Sequence, residues 1–198
     1  MTSAKQVAAD HLHRLSDLFE QIDLDALERV FSLLQAARDN GSTIYIAGNG
    51  GSAATAAHWA NDLGKATKRS GRAPMRVMSL GDNLAWMTAL ANDEGYDRVF
   101  TGQLENFARP GDLLVVISAS GSSPNVVRAV ETAKQLGVST VGLLGFDGGS
   151  LKTMVDELVW VPTEQGDYEL AEDCHMTICH ILARSLALDR LPSESAVR

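Results

Sequence analysis

The sequence predicts a doubly wound α/β fold: a five-stranded parallel sheet of order 2-1-3-4-5, preceded by a helical arm. Three observations carry this expectation. Short apolar runs with strand character alternate with helical stretches along most of the chain. One run, Leu113-Leu114-Val115-Val116-Ile117, is continuously apolar, as befits a central parallel strand buried on both faces. Two loops rich in glycine and serine follow the first and third strands, which are neighbours in a sheet of this order, so both loops would border one crevice.

The 198 residues suit one domain with a sizeable core, divided into an arm (1–41), an α/β core (42–190) and a flexible tail (191–198). Hydrophobic residues make up 45% and charged residues 21%, which is ordinary for a soluble globular chain. A formal net charge of −8 argues against general nucleic-acid binding, because that affinity rests on neutralising phosphates with Lys and Arg. A phosphate ligand would have to be held by local N–H groups and hydroxyls. Neither a charged-then-apolar leader nor a long apolar run is seen, so no membrane partner and a cytoplasmic location are expected. Cys174 and Cys179 are the only cysteines; five residues apart on one helix, their Cα atoms lie roughly 8 Å from each other, beyond disulfide reach.

In chain order, Val7, Leu12, Leu15, Leu18, Phe19 and Ile22 recur at helical spacing, as do Leu24, Leu27, Val30, Phe31 and Leu34. Asp23 is placed to cap the second helix and Asn40-Gly41 to end it. Apolar residues spread beyond a single stripe, which favours an oligomerisation arm over a layer packed on the sheet. The run TIYI (43–46) is the first strand. Gly48-Asn49-Gly50-Gly51-Ser52 then forms a tight turn, with Ser52 as expected N-cap of an alanine-rich helix. Strand, glycine turn and helix N-terminus together favour an anion. His58 and Asp62, four residues apart on that helix, share a face.

Residues 75–79 read as the second strand. Asp82 is expected to cap a helix to about residue 92, and residues 96–108 read as another helix. The third strand (113–117) feeds Ser118-Ala119-Ser120-Gly121-Ser122-Ser123, and Pro124 opens a helix. Strands follow at 138–144 and 158–161, with a short helix from Ser150 and a long one over 168–189. The serine loop offers hydroxyls beside a helix N-terminus, a phosphate nest without lysine. Trp59, Trp86 and Trp160 read as core or interface residues, and His11 and His13 as exposed helix residues. Lys65, Lys68, Arg69 and Arg72 read as a solvated helix end that could help hold phosphate.

Other motif readings fail on context. Gly48-x-Gly50-x-x-Ala53 matches a loose dinucleotide fingerprint, but Asp82 stands about 30 residues on rather than the roughly 20 required. No Lys-Ser/Thr follows the glycines, so there is no P-loop. Gly50-Gly51-Ser52 lacks the surroundings of a hydrolase nucleophile elbow.

Four stretches carry a family resemblance: GNGGSAATAAHWANDL (48–63), ALANDEGYD (89–97), ISASGSSPNVVRA (117–129), and Glu172-Asp173 with His175 and His180. They resemble sugar isomerase (SIS) domains, and most closely the phosphoheptose isomerase family, which interconverts sedoheptulose 7-phosphate and D-glycero-D-manno-heptose 7-phosphate. The resemblance implies a homotetramer with sites shared between subunits, a divalent metal, usually zinc, and aldose–ketose interconversion of a sugar phosphate through an enediol. It puts Ser52, Ser118, Ser120 and Ser123 on the phosphate, with Gly50, Gly51 and Ala119 in the same loops. Asn49 and Asp93 would shape the sugar pocket. The family's metal set falls on His58, Asp62, Glu172 and His180, with Asp62 and His180 as the catalytic pair and Glu172 also facing substrate.

Departures from the family pattern are informative. Asp62 is one methylene shorter than the usual glutamate, and Glu172 replaces a neutral amide. Thr55, Ala57 and Ala119 stand where the family has aspartate, glutamine and threonine. An isomerase of another sugar phosphate therefore stays open, as does a non-catalytic SIS protein of the kind that partners replication initiation. That last class lacks the carboxylate and final histidine, so Asp62 and His180 favour the enzyme. One geometric difficulty stands: eight residues of helix span roughly 12 Å, so Glu172 and His180 cannot reach one metal from a single regular helix. Either Glu172 precedes the helix or the metal is shared across an interface.

Overall fold

The apolar runs become five parallel strands, β1 Thr43–Ala47, β2 Arg76–Ser79, β3 Leu113–Ser118, β4 Ser139–Leu144 and β5 Glu157–Trp160, in the expected order 2-1-3-4-5. The structure, a computed structural model, describes residues 3–70 and 72–189; the predicted tail lies outside them. Register pairs Ile44 with Val77 and Leu113, and Val115 with Val141, so β1 and β3 lie side by side in the middle of the sheet. Strand side chains alternate between faces. Ile44, Ile46, Val115 and Ile117 enter one core, and Tyr45, Ala47, Leu114 and Val116 the other.

Helices cover both faces. The first core takes α2 (Leu24–Asp39), α3 (Gly51–Ala66) and α7 (Tyr168–Leu188), with Trp59, Leu63, Ile178 and Leu182 buried between them. The second takes α5 (Thr101–Phe107) and α6 (Pro124–Gln135), anchored by Phe100, Leu104, Val126 and Val130. α4 (Leu84–Asp93) lies near the β2 edge, and α1 (Ala4–Phe19) lies against α7. Among the described residues no helix is long and apolar enough to cross a membrane.

Several local expectations hold. Asp23 accepts from the Asp25 and Ala26 N–H groups, Asn40 ends α2, and Pro124 opens α6. Cys174 and Cys179 are free and buried. Others are corrected. The N-cap of α3 is Gly50, not Ser52: the helix begins two residues earlier, which puts Ser52 inside its first turn. Asn83, not Asp82, caps α4, its side chain accepting from the Trp86 N–H at 3.1 Å. The helix expected over 96–108 is a 3-10 turn at Tyr96–Arg98 followed by the short α5. The Thr101 hydroxyl donates to the Arg98 carbonyl at the break, a local bond that competes with the helical ladder. The arm also divides: α2 buries Ala26, Leu27, Val30 and Leu34 on the sheet, whereas α1 buries only Leu18 and leaves Val7 and Leu12 exposed.

Candidate active site

Three helix N-termini meet at the carboxyl ends of β1 and β3. α3, α6 and α7 all begin without a side-chain bond from the N-cap residue, so their dipoles are aimed at the space between them, although in α6 Pro124 has no N–H and the Val126 N–H donates to Asn125 Oδ1. That space is a cavity of about 140 Å³ lined by Asn49, Ser52, Ser118, Ala119, Ser120, Ser123, Tyr168 and Glu172. The two loops singled out in the sequence therefore border one cavity, whose lining is rich in hydroxyls and includes the Glu172 carboxylate but no lysine. Ser123, the N-cap of α6, makes no capping bond and keeps its hydroxyl for the cavity. The Ser118 hydroxyl is partly committed, since its oxygen accepts from the Gly121 N–H at 3.0 Å and so shapes the loop.

A second lobe of about 440 Å³ adjoins the first through Asn49 and Ser123, and adds Tyr96, Asp97, Pro124 and Asn125. Asn49 and Asn125 form a reciprocal amide pair, each Nδ2 donating to the other's Oδ1 at 2.9 and 2.8 Å. Tyr96 donates its hydroxyl to Asn49 Oδ1 at 3.2 Å. Tyr96, Tyr168 and Asn125 were not singled out from the sequence. Asn125 could have been: it directly follows Pro124, in the first turn of a helix already read as an anion site. Asp93 is exposed at the end of α4, accepts from the Asn92 amide at 2.7 Å, and lines neither lobe.

His58, Asp62 and His180 gather elsewhere. The His58 and His180 Nε2 atoms are 3.1 Å apart, and Asp62 Oδ2 lies 3.2 Å from the first and 3.7 Å from the second. Ligands about 2.0–2.1 Å from a tetrahedral zinc stand roughly 3.3 Å from one another, so these spacings fit a single small divalent ion. Two imidazoles and a carboxylate also suit zinc chemically. The cluster is open, with side-chain exposures of 48% for His58, 24% for Asp62 and 52% for His180.

Glu172 is not among these donors. α3 and α7 run side by side in the same sense: Gly51 faces Glu172 at one end, and His58 and Asp62 face His180 farther along. Because α7 starts at Tyr168, Glu172 lies within the helix, which removes the possibility that it precedes it. Its carboxylate packs so closely on Gly51 that a Cβ there would overlap it. The Glu172 side chain thus occupies the helix ends that favour a phosphate, and its carboxyl competes with one for that space. Glu172→Gln should tighten binding of inorganic phosphate by about tenfold in calorimetry, the equivalent of roughly 1.4 kcal/mol of relieved repulsion. Unchanged or weaker binding would sink this competition.

Lys65, in the last turn of α3, and Lys68, in the 3-10 turn after it, lie at the end of that helix away from the cradle, and Arg72 pairs with Asp189 and Asp39; the Arg69 side chain lies outside the described part. His175 is fully buried in α7, with neither ring nitrogen hydrogen-bonded. Burial pushes its pKa down to about 4. The unfolded chain, near 6.5, then binds the proton more tightly than the native one, so stability falls as pH drops from 6.5 towards 4. Urea unfolding should show this as up to about 1.4 kcal/mol per pH unit, absent in His175→Phe. A pH-independent difference between the two proteins would mean that the imidazole titrates normally.

Comparison with known proteins places this fold in a family. The SIS domain model matches residues 9–145. A phosphoheptose isomerase of Chlorobaculum parvum is 38% identical over 170 residues, covering 85% of this chain and 81% of the relative. The chain belongs to the phosphoheptose isomerase family of SIS-domain proteins. Another relative, the phosphoheptose isomerase of Geotalea daltonii, is 41% identical over 153 residues, covering 77% of this chain and 78% of its own. The solved phosphoheptose isomerase of Neisseria gonorrhoeae superposes with a TM-score of 0.85 at 28% identity, over 93% of this chain and 98% of that one.

Proposed function

We propose that the chain, a phosphosugar isomerase by family, interconverts sedoheptulose 7-phosphate and D-glycero-D-manno-heptose 7-phosphate through an enediol. The observation that carries this reading is one pair of helices, α3 and α7, bearing a phosphate cradle at one end and a base–acid cluster farther along. The serine loop and the three helix ends hold the phosphate. Asp62 removes a proton from C1 of the ketose and returns it to C2. His180 gives a proton to the C2 oxygen and takes one from the C1 hydroxyl, so no proton is gained or lost. Asp62 Oδ2 faces the imidazoles, while Oδ1, 3.3 Å from the Asn61 amide, is the oxygen available to the sugar. A divalent metal held by His58, Asp62 and His180, for which zinc is the best fit, supplies a Lewis acid for the sugar oxygens when bound.

The site is shared in this reading. About 12 Å of helix separates Glu172 from His180, so a Glu172 ligand to the same ion comes from a neighbouring subunit, and the cradle with it. Ile181, beside His180, is 43% exposed, which supports coverage of the cluster by another copy. Light scattering should give about four times 21.2 kDa. The decisive experiment mixes two inactive variants, Ser120→Ala/Ser123→Ala and Asp62→Asn, after reversible dissociation. Random reassembly restores about a quarter of the wild-type activity if each site takes its loop and its base from different chains. Recovery of none would confine the site to one chain.

A further inference from the structure

At the other end of the sheet, where the strands begin, a bay of about 480 Å³ opens on the face that carries Tyr45. It is lined by Thr43 and Tyr45 of β1, Arg76 and Met78 of β2, and Phe107 and Arg109, among others. Register explains the grouping: Thr43 pairs with Arg76 and Tyr45 with Met78, so all four side chains emerge on one face of the β1–β2 edge.

The charges in this bay are unusual for so acidic a chain. Arg14, Arg29, Arg38, Arg72, Arg98 and Arg128 each sit against a carboxylate. Arg76 and Arg109 make no ion pair among the described residues, yet both line the same cavity. Each is nevertheless held in place. Arg76 Nε donates to Thr43 Oγ1 at 3.3 Å, and Arg109 donates to the Ala108 carbonyl at 2.9 Å. The one carboxylate between them, Asp112, is spent on backbone: its two oxygens accept from the Thr43 and Arg109 N–H groups at 2.7 and 2.8 Å. Two guanidiniums therefore face the bay with a single, already engaged, carboxylate.

The rest of the wall combines the Tyr45 phenol and two apolar side chains with the small polar residues 40–43. Burial, helped by Asp112, raises the Tyr45 pKa, so its hydroxyl stays neutral; Arg109 and Arg76 act on it in the opposite sense, which places both cations near the phenol. Met78, the register partner of Tyr45, and Phe107 line the same bay and are exposed. Guanidinium forks match phosphate oxygens, and rings pack on aromatic and thioether surfaces. The volume is that of a small-molecule pocket.

We propose that this bay is a second anion site, for an organic phosphate with an aromatic body, separate from the phosphosugar crevice and at the opposite end of β1. It goes beyond the isomerase reading and does not depend on it.

The test uses the whole protein carrying Ser120→Ala/Ser123→Ala, which weakens phosphate binding in the crevice. Titration calorimetry with AMP is expected to show saturable binding, at least tenfold tighter than inorganic phosphate. Adding Arg76→Gln and Arg109→Gln should weaken AMP more than tenfold while leaving the melting temperature in place. On the wild type, arginine-directed dicarbonyl labelling read by peptide mass spectrometry should show AMP protecting Arg76 and Arg109, which keeps the proposal testable even if the combined variant does not fold. Inorganic phosphate binding as tightly as AMP overturns the aromatic part. No AMP binding, or AMP binding that survives both arginine changes with no protection of either residue, overturns the site.

Discussion

Asp62→Asn is expected to lower kcat on the sugar phosphate by roughly two to four orders of magnitude, the contribution of a positioned general base, with the melting temperature near that of the wild type. The substitution keeps size and one oxygen, but an amide cannot accept the C1 proton. Asp62 is part-exposed beside two histidines rather than embedded in the core, so the fold does not depend on its charge. A kcat within tenfold of wild type would remove Asp62 from the role of base. The companion substitution, Asp62→Glu, reads out the shorter arm. Misplacing a reacting group by about 1 Å can change rates on the order of a hundredfold. A gain on sedoheptulose 7-phosphate would mean that the shorter carboxylate slows the heptose reaction. Lost activity with retained metal would mean that the site is set for a different phosphosugar.

Gly121→Ala should destabilise the chain by on the order of 3–5 kcal/mol, in the range reserved for backbone conflicts, and abolish phosphate binding. Gly121 has a φ of +61°, in the left-handed region where a Cβ is already unfavourable. A Cβ there would also overlap the Gly148 carbonyl, which is main chain and cannot rotate away as a side chain would. The same carbonyl region is tied in from the other side, since the Leu151 N–H donates to the Gly121 carbonyl at 3.0 Å. The serine loop is thus cast against the 145–149 turn, and moving one displaces the other. Chemical denaturation and phosphate titration measure both effects; a variant as stable as wild type that still binds phosphate would show the loop to be free of that turn.

The sheet was readable from sequence because a buried parallel strand needs an unbroken apolar run, and Leu113–Ser118 supplies the clearest one. The two ligand loops were readable for the same reason: strand, glycine or serine turn and helix start are contiguous in the chain. What escaped depended on distance in sequence. Asn49 and Asn125 meet across 76 residues, and nothing near either position announces the other. Tyr168 reaches the cradle from the start of α7, after a loop whose path no local pattern specifies. The caps of α3 and α4 were misplaced by two residues and by one, because neighbouring residues (Gly50 to Ser52, Asp82 and Asn83) suit a cap almost equally and the turn before them decides. Glu172 was assigned by its place in a motif; within one chain its α7 side chain packs on Gly51 of α3, about 12 Å of helix away from His180.

α7 also acts as a ruler. Glu172 and His180 are joined by continuous helix, so the spacing between the cradle and the base–acid cluster is fixed by helical rise rather than by loop length. Inserting one residue between them would advance His180 by about 1.5 Å but also swing it by about 100° off its face, away from His58 and Asp62. In the shared-site reading each α7 therefore joins the cradle of one site to the cluster of another, so a small step within this helix disturbs two sites at once. A lineage adapting to a shorter or longer phosphosugar would have to exchange side chains at the two ends or dock its subunits differently, while the rod between them stays constant.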